Sequence, residues 1–241
     1  RIRKHIKTVA GRYQGKVDGW DVVNEAVLDN GDLRQSFWLK IIGKEFLQKA
    51  FEYAKEFDPD AELYYNDYSL TKPSKRDGVV RMIKDLQAKG VPVDGIGMQA
   101  HWGLKHPSLE EIEASIKAFS NLGVQVMITE LDIDVLPSPD WGGGADISDN
   151  FERKEELDPY QEALPDSVQQ ELAQRYADIF RLFVKHQDKI DRVTFWGIND
   201  AQSWKNYFPV RGRTNYPLLF DRQNQPKPAF DSVMKVAQES L

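Results

Sequence analysis

The stretch Trp20-Asp21-Val22-Val23-Asn24-Glu25-Ala26 combines a short apolar strand pattern with an amide and a carboxylic acid at its end. A carboxylic acid directly after a buried strand is costly unless it is paired or has a chemical task. The pattern recurs along the chain. Five strands are predicted, at 17–24, 61–66, 94–99, 124–129 and 193–198.

Helix patterns separate these strands, because apolar residues return there at intervals of three and four. Helices are predicted over 1–13, 36–57, 74–89, 108–122, 167–187 and 226–241. Ser108-Leu109-Glu110-Glu111 is a capping box, and Ser74 with Asp77 resembles another. Trp20 and Trp38 fall within predicted elements, so we expect both in the core.

Five strands that alternate with helices indicate right-handed parallel crossovers, as in α/β folds. No Gly-x-Gly-x-x-Gly or Gly-Lys-Ser/Thr loop follows a strand, which disfavours a nucleotide-binding sheet and favours a (β/α)8 TIM barrel. Such a barrel needs eight strands. We therefore predict that residues 1–241 form a single partial domain, about the last five β/α units, with a long loop at 137–165 that contains Trp141. The N-terminal portion of the barrel is expected to be absent.

Composition excludes several classes of function. The formal net charge of -6 argues against a nucleic-acid or anionic-membrane partner. No apolar run approaches the ~20 residues that span a bilayer. The absence of cysteine excludes disulfides and thiol catalysis, and no two histidines lie at ligand spacing. We predict no metal and no cofactor.

Each predicted strand ends in polar residues, and in a barrel all these ends point to one face. They are Asn24-Glu25, Asn66-Asp67, Gln99 with His101 and Trp102, Glu130 with Asp132, and Trp196 with Asn199-Asp200. A single strand-end acid often caps the next helix or lies in solvent. Glu25 and Glu130 together, three strand-helix units apart, are the carboxyl pair that glycoside hydrolysis requires.

His101 has two readings, since a lone histidine is more often a satisfied structural residue than a base. With Glu130 and Asp132 it can form a hydrogen-bonded chain that holds one carboxylate ionised. Trp102, Trp196 and Trp204 lie at or beyond strand ends, where flat rings stack on sugars. Core packing is the alternative for each tryptophan taken singly.

Six motifs, in order over nearly the whole chain, resemble glycoside hydrolase family 10, the endo-β-1,4-xylanases. They are Trp-Asp-Val-Val-Asn-Glu-Ala at 20–26, Leu-Tyr-Tyr-Asn-Asp-Tyr at 63–68, Gly-Met-Gln-Ala-His-Trp at 97–102, Ile-Thr-Glu-Leu-Asp-Ile at 128–133, Trp-Gly-Ile-Asn-Asp-Ala-Gln-Ser-Trp at 196–204 and Pro-Leu-Leu-Phe-Asp at 217–221. Ala100 stands where the family often has Gly, and Ser69 where it often has Asn.

The resemblance implies a role for each candidate residue. Glu25 would be the acid/base and Glu130 the nucleophile. The implied supporting residues are Asn24 as donor to the sugar 2-hydroxyl, His101 and Asp132 positioning Glu130, Trp196 and Trp204 walling the sugar next to the cut, and Asn66, Tyr68 and Gln99 lining the cleft.

The implied activity is endo-acting, retaining hydrolysis of xylan, outside the cytoplasm or at the cell surface or periplasm. A related barrel glycosidase acting on β-glucan or mannan is the alternative, and so is a non-catalytic polysaccharide-binding relic. The expected partners are xylan or xylo-oligosaccharides and the N-terminal half of the same barrel, as a separate segment or chain. Without that half we expect the fragment to be inactive.

Overall fold

Strands and helices alternate through the described residues, 1–139 and 151–240, of the computed structural model. The strands are β1 (Gly19–Asn24), β2 (Glu62–Asp67), β3 (Gly95–Met98), β4 (His101–Gly103), β5 (Gln125–Asp134) and β6 (Ile190–Phe195). The α-helices are α1 (Ile2–Tyr13), α2 (Phe37–Ile42), α3 (Glu45–Phe57), α4 (Pro73–Ala88), α5 (Leu109–Ser120), α6 (Asp166–Lys185) and α7 (Pro228–Glu239). Short 3-10 helices cover Glu155–Leu157, Asp200–Gln202 and Trp204–Asn206.

The chain divides into two units, which are described separately. Unit 1 contains Arg1–Gln99, Glu113–Thr129 and Lys189–Arg192, and unit 2 contains Ala100–Ile112, Glu130–Asp188 and Val193–Leu241. The described part of the predicted 137–165 loop holds the Glu155–Leu157 turn, and α6 begins one residue after the loop's predicted end. Trp141 lies outside the described residues.

Unit 1 is built on a parallel sheet. β1 pairs with β2, β2 with β3, and β3 with the first half of β5. The register places Asn24 opposite Asn66, and Asn66 opposite Gly97. Because all these strands run in one direction, their polar carboxyl ends lie along one edge of the sheet.

The predicted helix over 36–57 is wrong in one respect, because it is two helices. Gly43 separates α2 from α3 with a φ of 82°, a left-handed value that glycine adopts without a steric penalty. Trp38 is 44% exposed and Trp20 of β1 is only half-buried, so the prediction that both lie in the core is wrong. Phe37 and Ile41 of α2 are also 80% and 78% exposed.

The two predicted capping boxes differ in outcome. The one at Ser108 is confirmed, since its backbone N–H donates to Glu111 at 2.7 Å and Glu111 N–H donates to Ser108 Oγ at 3.2 Å. The one at Ser74 is wrong. α4 begins at Pro73, and the Ser74 hydroxyl donates to the backbone oxygen of Asp29.

Unit 2 holds the second half of β5, which extends five residues past its predicted end. β4 pairs with it in parallel, so that His101 lies opposite Asp132. α6 packs on α7 and buries Leu172, Tyr176 and Ile179 completely, as its apolar spacing predicts. None of the helices in the described ranges is long and apolar enough to cross a membrane.

Candidate active site

The predicted site residues fall into two clusters, one in each unit. The Glu25 cluster of unit 1 consists of Asn24, Glu25, Asn66, Tyr68 and Gln99. The Glu130 cluster of unit 2 consists of His101, Glu130, Asp132, Trp196 and Trp204.

Amide side chains surround the Glu25 carboxyl group. Gln99 Nε2 donates to Glu25 Oε1 at 3.0 Å and lies 3.3 Å from Asn24 Oδ1. Asn66 Nδ2 donates to the same Asn24 oxygen at 3.1 Å, and Thr129 Oγ1 donates to Asn66 Oδ1 at 2.7 Å. These bonds fix which end of each amide faces the site. Asn24 itself stays exposed at the end of β1.

Gly97 makes room for the Asn66 side chain. A Cβ at this position would lie 2.4 Å from Asn66 Oδ1 and 2.8 Å from Thr129 Cγ2, too close for either contact. The register of β2 and β3 puts the two residues side by side, so only glycine leaves the amide in place.

The backbone at Glu25 has a left-handed conformation, with φ at 58°. For a residue with a Cβ this costs ~1–2 kcal/mol. Neighbouring groups hold it, since Glu25 N–H donates to Asn66 O at 2.9 Å and Arg34 Nε donates to Glu25 O at 2.7 Å. Arg34 also donates to the Tyr68 hydroxyl at 2.9 Å. Burial raises the pKa of Tyr68, while Arg34 lowers it.

A hydrogen-bonded chain runs through the Glu130 cluster. His101 Nε2 lies 3.1 Å from Glu130 Oε2, and His101 Nδ1 lies 3.0 Å from Asp132 Oδ1. Trp204 Nε1 donates to the other Asp132 oxygen at 2.7 Å. Alternate residues of β5 therefore bind the two nitrogens of one imidazole ring, whose orientation is fixed.

Opposing effects set the protonation of His101. Burial lowers its pKa, but the charge of Asp132 and the hydrogen bonds to Asp132 and Glu130 raise it, and the net pKa is above the usual value for histidine. A protonated ring donates a hydrogen bond to each of the two carboxylates. Lys205 adds a positive charge 4.0 Å from Asp132 and opposes that rise.

The tryptophans of unit 2 have different surroundings. Trp196 is 46% exposed, and its ring centre lies 6.5 Å from that of His101. Trp204 packs edge-on against His101 at 4.8 Å and stacks on Phe208. Trp102 is buried against Phe183, so for this residue core packing is the correct reading.

A cavity of about 570 Å³ lies beside the Glu130 cluster in unit 2. Its lining includes His101, Lys205, Asp134, Lys105 and Tyr160. Its size is within the range of small-molecule sites. Within residues 1–139 and 151–240, no group of three or more His, Asp or Glu side chains is arranged to hold a metal ion.

Sequence reasoning did not select several residues that contact the clusters or the residues next to them in the chain. These are Arg34, Tyr65, Lys75, Thr129 and Lys205. A signal existed for Lys75, which precedes Val79, Met82 and Leu86 at helical spacing on the buried face of α4. A lysine on such a face requires a buried acid as a partner.

The model of Glycosyl hydrolase family 10 matches residues 1–236. The chain belongs to this family. It is 50% identical to Endo-1,4-beta-xylanase A of Xylanibacter ruminicola over 98% of the chain and 64% of that protein. It is 48% identical to an Endo-1,4-beta-xylanase of Geobacillus stearothermophilus over 98% of the chain and 67% of that protein.

A solved structure extends the family likeness to three dimensions. It is a GH10 endoxylanase retrieved from sugarcane soil metagenome, 50% identical, with a TM-score of 0.91 over 97% of this chain and 66% of that one. Family 10 proteins are (β/α)8 barrels, so the predicted fold class is confirmed, with the chain covering part of such a barrel. The chain spans 64% of the length of the Xylanibacter ruminicola relative.

Proposed function

We propose that this chain carries the catalytic carboxylates of an endo-acting, retaining β-1,4-xylanase, with Glu130 as nucleophile and Glu25 as acid/base. Two relatives at 50% and 48% identity bear the name endo-1,4-beta-xylanase, which supports xylan as the substrate. The observation that carries the proposal is the chain from Glu130 through His101 to Asp132, because an imidazole bound at both nitrogens holds the Glu130 carboxylate in one orientation.

In the first step, a Glu130 oxygen attacks the anomeric carbon and the bond from that carbon to the leaving sugar's oxygen breaks. Glu25 gives its proton to that oxygen. In the second step, Glu25 takes a proton from water, the water oxygen attacks the anomeric carbon, and the bond to Glu130 breaks. The configuration is retained because two inversions occur.

The other cluster residues support this chemistry within their own units. Gln99 donates to Glu25 Oε1, which orients the carboxyl group. The exposed Asn24 amide and the Tyr68 hydroxyl are the sugar-binding groups of this proposal, and the buried Asn66 holds the Asn24 amide in place. Trp196, with its exposed ring beside His101, provides a flat face for a sugar.

The test uses Glu130→Ala and Glu25→Ala in the full-length protein, assayed on xylan, β-glucan and mannan. Glu130→Ala should abolish xylan hydrolysis, and the wild-type protein should first release the β-anomer, which NMR detects. Glu25→Ala should lose ~10²–10⁴-fold on xylan, the usual share of general acid catalysis. Unchanged xylan hydrolysis by Glu130→Ala, or release of the α-anomer, would sink the assignment.

Two further proposals follow from the polymeric substrate. A xylan chain does not enter a cell, so we place the protein outside the cytoplasm, at the cell surface or in the periplasm. The N-terminal half of the barrel remains the proposed partner. Removing it from the active protein should abolish hydrolysis.

A further inference from the structure

The Glu25 peptide needs external support because its left-handed backbone costs ~1–2 kcal/mol. Without contacts on both flanking peptides, the backbone would relax and swing the carboxyl group. The groups that bind the peptides after Glu25 therefore set the direction of its side chain.

Tyr65 supplies that support on one side. Its hydroxyl accepts hydrogen bonds from Ala26 N–H at 3.1 Å and Val27 N–H at 3.2 Å, and it donates to Asp67 Oδ2. A hydroxyl has one proton and two lone pairs, so its capacity is full. Tyr65 and Asp67 are each 0% exposed, which leaves no access for water to replace them.

Lys75 connects the Tyr65 support to a second set of contacts on the Glu25 backbone, those of Tyr68 and Arg34. Its Nζ lies 2.8 Å from Asp67 Oδ1 and 3.3 Å from the centre of the Tyr68 ring. The Tyr68 hydroxyl accepts from Arg34, which donates to the backbone oxygen of Glu25. Lys75 is completely buried, and it supplies the charge that keeps a buried Asp67 paired.

We propose that Lys75, Asp67 and Tyr65 form a positioning network that fixes the backbone at Glu25 and so aims its carboxyl group for proton transfer. The proposal rests on the acid/base role given to Glu25 above. None of the three residues needs to touch the substrate. They act through the Ala26 and Val27 peptides.

A positioning role differs from a purely structural one in its dependence on the leaving group. Departure of a dinitrophenolate needs no proton, whereas departure of a sugar does. A misdirected Glu25 should therefore slow hydrolysis of xylo-oligosaccharides much more than formation of the glycosyl-enzyme from 2,4-dinitrophenyl xylobioside. General damage to the fold would slow both reactions alike.

The variant is Tyr65→Phe in the full-length protein, which removes one oxygen and keeps the ring. We expect kcat/KM on xylohexaose to fall ~10–100-fold, the effect of a displacement near 1 Å, and kcat/KM on the dinitrophenyl substrate to fall less than ~3-fold. Asp67→Asn is the second variant, should Tyr65→Phe not fold. It should show the same pattern, because it removes the charge that Lys75 binds.

Tyr64→Phe is the matched control. Tyr64 is the adjacent residue of β2, is 1% exposed, and donates its hydroxyl to Glu62. We expect it to change kcat/KM on either substrate by less than ~3-fold, since its hydroxyl does not contact the Glu25 segment. A loss equal to that of Tyr65→Phe would contradict the proposal.

Glu25→Ala separates failure of this proposal from failure of the proposed function. If Glu25→Ala shows the leaving-group dependence and Tyr65→Phe loses both activities equally or neither, the positioning network is refuted alone. If Glu25→Ala shows no such dependence, the acid/base assignment fails and the network proposal fails with it. If both Glu25→Ala and Tyr65→Phe show the leaving-group dependence, the result supports both the acid/base assignment and the positioning network.

Discussion

His101→Phe is the most informative perturbation of the Glu130 cluster, because it removes both ring nitrogens and keeps a ring. The two contacts, at 3.0 Å and 3.1 Å, join the imidazole to carboxylates in a site where Asp132 is 0% exposed. Each hydrogen bond to a charged group contributes ~1.5–3 kcal/mol. We therefore expect the variant to lower the free energy of unfolding by ~3–5 kcal/mol, the usual cost of breaking a buried pair.

This loss should depend on pH. The pKa of His101 is raised in the folded protein above its ordinary value, through Asp132 and Glu130 acting against burial. A raised histidine pKa gives stability that is fully present below the unfolded pKa, ~6.5. That stability disappears as pH rises through the folded pKa. The difference between wild type and His101→Phe should be larger at pH 5.5 than at pH 8.5.

Urea unfolding of both proteins at the two pH values, followed by tryptophan fluorescence, measures the difference. His5→Phe is the control, since His5 is exposed on α1 and its replacement should change stability by no more than ~0.5 kcal/mol at either pH. A loss for His101→Phe that is equal at both pH values, or greater at pH 8.5, would refute the reasoning.

Two glycine substitutions test the backbone around the Glu25 cluster and β4. Gly97→Ala should displace the Asn66 amide, lower the free energy of unfolding by ~1–3 kcal/mol through overpacking, and reduce xylan hydrolysis. Gly11→Ala is the control, because its Cβ would meet open space on α1, and it should stabilise the protein. Ala100→Gly should raise the free energy of unfolding by ~1 kcal/mol, and with it the melting temperature, because Ala100 has a φ of 64°. Undiminished stability and activity in Gly97→Ala, or a lower melting temperature in Ala100→Gly, would contradict these expectations.

Two residues that depart from the family pattern lie on left-handed backbone. Ala100 and Ser69 have φ values of 64° and 52°. Gly and Asn, which the family often has at these positions, are the residues that adopt such values at least cost. The sequence shows the departures, but only the folded backbone shows that Ala100 and Ser69 cost more at these positions than Gly and Asn would.

Local patterns predicted the elements that depend on neighbours in sequence. The capping box at Ser108 needs only residues three apart, and the inward face of α6 follows from helical spacing. The break at Gly43 was missed because apolar spacing continues across it, although the backbone does not. Trp38 was misassigned for the same reason, since a periodic pattern does not say what covers the helix face.

By itself, the sequence determined the alternation of strands and helices, and hence the parallel arrangement that brings strand ends to one edge. It also selected Glu25, which follows β1, and Glu130, although β5 continues past Glu130 to Asp134. Only the tertiary structure decided that Tyr65, Asp67 and Lys75 support the Glu25 peptide and that His101 joins Glu130 to Asp132. Those contacts join residues far apart in the chain, and their hydrogen-bond directions depend on packing that no local pattern encodes.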